Sequence, residues 1–344
     1  MGSTIIWLIA VISIGKFLSF VCCSQRIPQS NRMIDGLSKI LPKYDHFIID
    51  QWGVLHDGRK PYDSVHDCLE LMRKMNKNLI LLSNSSKRRI SSYEGLKRVG
   101  ISPQLFAGIV TSGELGWNII NERKSTVLAS NLNMNQKLKV FVVGNGDDDE
   151  EYVSSCNCEF SDPSTASFIL ARGTFAIWNR KNNVSKFIDA TDLMSAVQES
   201  LRVCANYDLP MLVTNPDFHR PGSNSPMPGL IAQQYLQISP GAKIEYIGKP
   251  YPLVYEACQS LLQQGNNDSV DLSRVCCIGD SFEHDILGAN VAGIDSVWIA
   301  NGVHCSELGT AEGSSVQPDE QRMLSFLNKH ANVKATYIVP TFQK

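Results

Sequence analysis

The sequence predicts an α/β fold on a parallel sheet, with a second α/β unit inserted into it. Three observations predict this. Short apolar, β-favouring runs recur along the 344 residues, each too brief for a helix. Helical patterns such as that over 64–76 separate the runs, as in βαβ units. Several runs end in a carboxylate, a hydroxyl or a lysine beside glycine, where open parallel sheets gather their ligands.

Hydrophobic residues make up 43% of the chain and charged residues 19%, which suits a packed core and excludes a disordered chain. A formal net charge of -2 leaves no electrostatic footprint for nucleic acid, so no nucleic-acid partner is expected. Lys87-Arg88-Arg89 reads as a solvated helix face. The ten cysteines fall as singles, two adjacent pairs (Cys22-Cys23, Cys276-Cys277) and one C-x-C, with no C-x-x-C. That spacing argues against a zinc site or disulfide framework and for a reducing compartment.

Residues 5–23 are apolar except for Lys16 and approach the roughly 20 residues of a membrane span. Met1 to Thr4 carry no basic residue, which argues against a secretory signal. Residues 1–32 therefore read as an organelle presequence or a single membrane anchor outside the fold. The expected location is intracellular, in the cytosol or an organelle (mitochondrion or plastid), with membrane contact through 5–23 in the anchor reading.

The first part of the main unit spans 33–112. Its strand at 47–49 ends in Asp50, ahead of Gly53 and Gly58. After the helical pattern over 64–76, a strand at 79–82 ends in Ser83-Asn84-Ser85-Ser86 and leads into a helix over 87–99, closed by Gly100. Hydroxyls and free amides at a helix start suit a phosphate.

The insertion spans 113–241, with strands at 140–143, 167–170 and 211–214 and a helix over 193–206. Gly144-Asn145-Gly146 follows a strand as a dinucleotide fingerprint would, but the five acids from Asp147 to Glu151 stand where a pyrophosphate would lie. The turn-rich stretch 214–222, with Asn215 and Asp217, is a return loop able to face a ligand.

The main unit resumes over 242–344. A strand at 244–247 ends in Gly248-Lys249-Pro250, a helix covers 252–264, and a strand at 274–278 breaks into Gly279-Asp280 and, five residues on, Asp285. A helix to Ala292 and a strand at 297–300 follow.

Four strand ends thus present Asp50, Ser83 with Asn84, Lys249, and Asp280 with Asp285, all expected on one edge of one parallel sheet. A single aspartate before a helix is usually a cap. This order of acid, hydroxyl, cation and acid pair instead suits phosphoryl transfer through an aspartyl phosphate. Asp50 would be the nucleophile, and Asp50 and Asp280 hard oxygen ligands for Mg²⁺. Ser83 and Lys249 would hold the phosphoryl oxygens.

The chain resembles the haloacid dehalogenase (HAD) superfamily, in the subfamily whose cap is inserted between the second and third motifs. The resemblance runs from Tyr44 to His304 through DQWGVLHDG (50–58), LLSNSS (81–86), TNPD (214–217), GKPYPLVYEA (248–257) and GDSFEHDILGANVAGIDSVWIANGVH (279–304). The last motif is similar to that of the p-nitrophenylphosphatase-like branch. The resemblance implies a Rossmann-like core with an α/β cap, a Mg²⁺ cofactor, a small phosphorylated metabolite as substrate, and dimerisation through the cap. It makes Asp50 nucleophile and metal ligand, and Ser83, Asn84 and Lys249 phosphate-binding. The Trp52 carbonyl, Asp280 and Asp285 would complete the metal set, and Asn215 and Asp217 would face substrate from the cap.

One position departs from the pattern. Two residues after the nucleophile, active phosphatases of the superfamily usually carry a second aspartate as general acid and base, and here Trp52 stands there. An indole cannot transfer that proton, and losing a positioned acid/base typically costs about 10² to 10⁴ in rate. His56 and Asp57 are close in sequence, and Trp52 could stack on an aromatic substrate. A rival reading follows: a degenerate member that binds metal and a phosphorylated ligand as a sensor or interaction protein. A phosphorelay receiver also uses a strand-end aspartate and a lysine, but has no place for the insertion.

Overall fold

In each run read as a buried strand, alternate side chains go to opposite layers. Phe47 and Ile49 join Leu79, Leu81, Cys276 and Ile278 in one core, while Ile48 joins Ile80, Leu82, Val275 and Cys277 in another. A sheet covered on both faces needs apolar residues at every position, which is why its strands show no polar alternation.

The computed structural model describes residues 31–128, 136–179, 183–186, 190–220, 223, 225–264 and 269–344. The presequence or anchor expected over residues 5–23 lies outside the described residues. Among them, no helix is long and apolar enough to cross a membrane.

The strands in chain order are β1 (Arg32–Met33), β2 (His46–Ile49), β3 (Asn78–Ser83), β4 (Gly108–Thr111), β5 (Leu138–Gly144), β6 (Cys158–Phe160) and β7 (Phe168–Ala171). Then come β8 (Ala176–Asn179), β9 (Asn183–Lys186), β10 (Met211–Val213), β11 (Ile244–Tyr246), β12 (Val275–Gly279), β13 (Asp295–Ile299) and β14 (Tyr337–Val339). They form two sheets. The first runs β1-β14-β13-β12-β2-β3-β4, with every pairing parallel. The second runs β11-β10-β7-β5-β8-β9, with β6 also on β5. It is parallel except where β8 pairs with β5 and β9 with β8.

The fold is the expected α/β core with an inserted α/β cap, and one strand assignment needs correcting. The run at 244–247 was expected in the core sheet. It forms β11, the outer strand of the cap sheet, in register with β10 at Met211↔Ile244. Ile247 follows it, donating its amide to Val213 O at 2.8 Å and packing in a cap core. The chain therefore leaves the cap between Ile247 and Lys249, some residues later than the boundary read at 242. Its next helix, Pro252–Gln263, returns to the core by packing Val254, Cys258 and Leu262 on Ile80, Leu82 and Val110.

Two of the five acids after β5, Asp148 and Asp149, have a structural use. Asp149, fully buried, pairs with the equally buried Arg172 and accepts from the amides of Asn145 (3.1 Å) and Gly146 (2.7 Å) and from the Trp178 indole (2.9 Å). Asp148 adds a second carboxylate to Arg172 at 3.0 Å. The glycine turn is thus filled by the protein's own carboxylate, as the sequence argument against a dinucleotide requires. The eight described cysteines are all free.

Removing one partner from a buried ion pair strands the other charge. Asp149→Ala should lower stability by about 3 kcal/mol on that ground, read from the denaturant midpoint. An unchanged midpoint would show that Asp148 alone compensates Arg172.

Candidate active site

Strand register brings three of the four predicted strand ends together, those of Asp50, Ser83 and Asp280. Ile49 is level with Leu81 of β3 and with Ile278 of β12. Asp50 is the next residue and donates its amide to Ile278 O at 2.9 Å. Ser83 and Asp280 each stand two residues past those partners, so they flank Asp50 on the carboxyl edge of the core sheet.

Lys249 reaches this edge from the cap side, not from a core strand as expected. Its ammonium contacts Asp50 Oδ1 and lies 2.7 Å from Asp285 Oδ1. Both Lys249 and Asp285 are buried, at 4% and 5% exposure, so the contact is not a screened surface pair. Carboxylate oxygens of Asp50, Asp280 and Asp285 all lie within 4.8 Å of one another.

Close backbone approach shapes the cluster. Gly53 has φ +77°, and a Cβ there would sit 1.9 Å from Asp280 Oδ2. The Val303 amide donates to that same oxygen at 2.8 Å, and the Ser281 amide donates to Asp285 Oδ2 at 3.1 Å. Three buried carboxylates facing one ammonium are short of positive charge. Burial pushes the Asp50 carboxyl up to about 7 against the pull of Lys249. Burial, with the charges of Asp50 and Asp285, holds Asp280 well above the usual carboxylate range. An all-oxygen set in this state fits a hard divalent cation, which would relieve the shared negative charge.

Asn84 has a different place from the one its sequence position implied. Its carbonyl accepts the Lys249 amide at 2.7 Å, and its amide group donates to Asp217 Oδ1 at 2.8 Å and Lys249 O at 3.2 Å. The side chain ties the lysine loop and the cap to β3, so any phosphate contact from Asn84 falls to its main chain. Asn215 is buried and turns inward to accept the Asp217 amide at 2.9 Å. Only Asp217 of the cap pair reaches the core, where His284 Nε2 is 3.4 Å from its Oδ1. Sequence reasoning missed His284, whose one signal was its place beside Asp285.

None of the three residues considered after Asp50 supplies a general acid to the site. The Trp52 indole is 40% exposed and lies against Gly58, where a Cβ would meet it at 2.2 Å. The Asp57 carboxylate accepts the amides of Arg59 and Lys60, both at 2.8 Å, as an ordinary turn residue. His56 is buried and accepts the Gly58 amide on Nδ1 at 2.9 Å, which places its proton on Nε2. Burial pulls its pKa down to about 4, so the ring is a neutral donor.

Substitution behind a metal ligand typically lowers metal affinity about 10- to 100-fold. Gly53→Ala, which forces Asp280 to move, should weaken Mg²⁺ binding by that order in calorimetry. Wild-type affinity in this variant would count against Asp280 as a ligand.

Comparison with known proteins agrees with the geometry. The profile of the haloacid dehalogenase-like hydrolases matches residues 47–158, and an HAD-hydrolase-like profile matches residues 246–321. A 4-nitrophenylphosphatase of Schizosaccharomyces pombe is 26% identical over 292 residues, covering 82% of this chain and 92% of its own. An acid sugar phosphatase of Staphylococcus haemolyticus is 22% identical over 306 residues, covering 88% of this chain and 100% of its own. Among solved structures, a hydrolase of the haloacid dehalogenase-like family from Brucella suis superposes with a TM-score of 0.66 at 21% identity, covering 91% of this chain and 99% of that one. The two profiles bracket the cap's ends and take in Asp50, Ser83, Lys249, Asp280 and Asp285. The chain belongs to the haloacid dehalogenase-like hydrolases.

Proposed function

We propose that this protein is a Mg²⁺-dependent phosphomonoesterase acting on a small phosphorylated metabolite through an aspartyl phosphate on Asp50. The observation that carries the reading is the buried meeting of Asp50, Lys249, Asp280 and Asp285 beside Ser83. The names of the yeast and bacterial relatives, both phosphatases, point the same way.

Asp50 stands at a strand end with its carboxylate held by Lys249, and so is placed to attack a phosphorus in line. Ser83 and the Lys249 ammonium would hold non-bridging phosphoryl oxygens as charge spreads over them. Asp50, Asp280, Asp285 and the Trp52 carbonyl would hold Mg²⁺, which when bound offsets the repulsion between carboxylate and phosphate. Asp217, tied to Asn84 and next to His284, would fix the cap loop over the phosphoryl site. The leaving oxygen receives no proton from Trp52, so esters of acidic alcohols or phenols are the favoured substrates.

That same residue favours a second reading, in which metal and a phosphorylated ligand bind but turnover is negligible. The two readings separate in a screen of phosphate esters with Mg²⁺. Hydrolysis of para-nitrophenyl phosphate that disappears in Asp50→Asn supports the first, and activity surviving in Asp50→Asn sinks its chemistry. Binding without hydrolysis supports the second.

Trp52→Asp supplies the missing acid and base. It should raise kcat by about tenfold or more on alkyl phosphates, whose leaving groups need a proton, and less on nitrophenyl esters. Equal effects on both ester classes would mean that proton transfer to the leaving group is not what limits this enzyme.

A further inference from the structure

A pocket of about 340 Å³ opens beside the phosphoryl site on the core alone. Its walls come from the loop after β2 and from the turn and helix after β3, and Ser83 is common to the pocket and the phosphoryl site. Trp52 and His56 form part of one wall, and Ser91 and Ser92 of the helix Arg89–Arg98 part of the other.

Three cations line it: Arg59, Lys87 and Arg98. Among the described residues none of the three forms an ion pair, although Lys87 lies within the field of Asp148, whereas their chain neighbours Arg88 and Lys97 are paired with Glu114 and Glu94. No carboxylate side chain lines the pocket. His56, 4% exposed, is part of the lining, with its Nε2 covered by the protein.

We propose that this pocket is the leaving-group subsite, and that it selects phosphate esters whose organic part carries a second anionic group. The inference rests on the phosphatase reading. Arg59, Lys87 and Arg98 supply the charge, and the exposed Trp52 indole gives a flat wall for a planar body. Trp52 is then a specificity residue at the place where the superfamily usually keeps an acid.

The test uses three esters with the same ring: para-carbamoylphenyl phosphate, which is neutral beyond the ester, para-carboxyphenyl phosphate, and 1,4-phenylene bisphosphate. A charge-assisted contact predicts kcat/KM roughly tenfold or more higher for the anionic esters than for the carbamoyl ester. The better of the two anionic esters identifies the second group as carboxylate or phosphate. In Arg98→Glu and in Lys87→Glu the ratio should fall to about one or below, whereas Lys97→Glu, on the same helix but paired with Glu94, should retain it. A ratio near one in the wild type, or a preference unchanged in both pocket variants, overturns the proposal. Failure to hydrolyse any of the three would instead sink the phosphatase reading. The same ratio, taken from calorimetric Kd values with Mg²⁺ and Asp50→Asn, then decides the subsite by itself.

Discussion

A buried ammonium among three buried carboxylates is the constraint on which the rest of this molecule depends. Lys249 left unpaired in that environment would carry a desolvation penalty of several kcal/mol, and so would each of the acids. The fold meets the constraint by drawing its lysine from one sheet and its acids from another. β2 and β12 deliver Asp50 and Asp280 by register, and the turn after β12 delivers Asp285. Lys249 arrives from the end of the cap sheet, so the cap and core cannot separate at that strand without breaking the cluster. Asn84 reinforces this joint because one side chain satisfies the Lys249 backbone and Asp217 together.

The parts legible in the sequence are those where the physics is local. A strand covered on both faces is written as an unbroken apolar run, and a polar residue at its end needs a reason to be there. Asp50, Ser83 and Asp280 were readable for that cause. The assignment of β11 failed because an outer strand of a parallel cap sheet looks the same in sequence as a core strand. Its partner β10 is separated from it by a whole helix, and no residue in Ile244–Tyr246 names that partner. The use made of the Asn84 side chain was unreadable for the same reason, since its hydrogen bond with Lys249 spans 165 positions. His284 was missed because its pairing with Asp217 exists only once the cap loop has folded back.

The loop from Gln51 to Gly58 shows how one substitution changes a site without dismantling it. Gly53 still makes room for Asp280, and the Gly58 amide still fixes the ring of His56. What the loop lacks is a group that gives and takes a proton. Trp52 has none to give, Asp57 is spent on two backbone amides, and His56 is held neutral by burial. The groups proposed to bind metal and phosphate are therefore kept, while proton transfer would be left to the substrate or to water.

In the proposed function, that division limits which substrates can be turned over. A leaving oxygen that departs without a proton must stabilise its own negative charge, which favours phenols and acids over simple alcohols. Three unpaired cations beside Ser83 would lower the energy of such a departing anion by their field, and would do so most when its organic part is itself negative. Charge around the leaving group can in this way stand in for part of what a proton donor supplies. In that arrangement Trp52 and the cationic pocket belong together: the indole removes the acid and provides a flat surface, and Arg59, Lys87 and Arg98 favour the class of ester that can do without it.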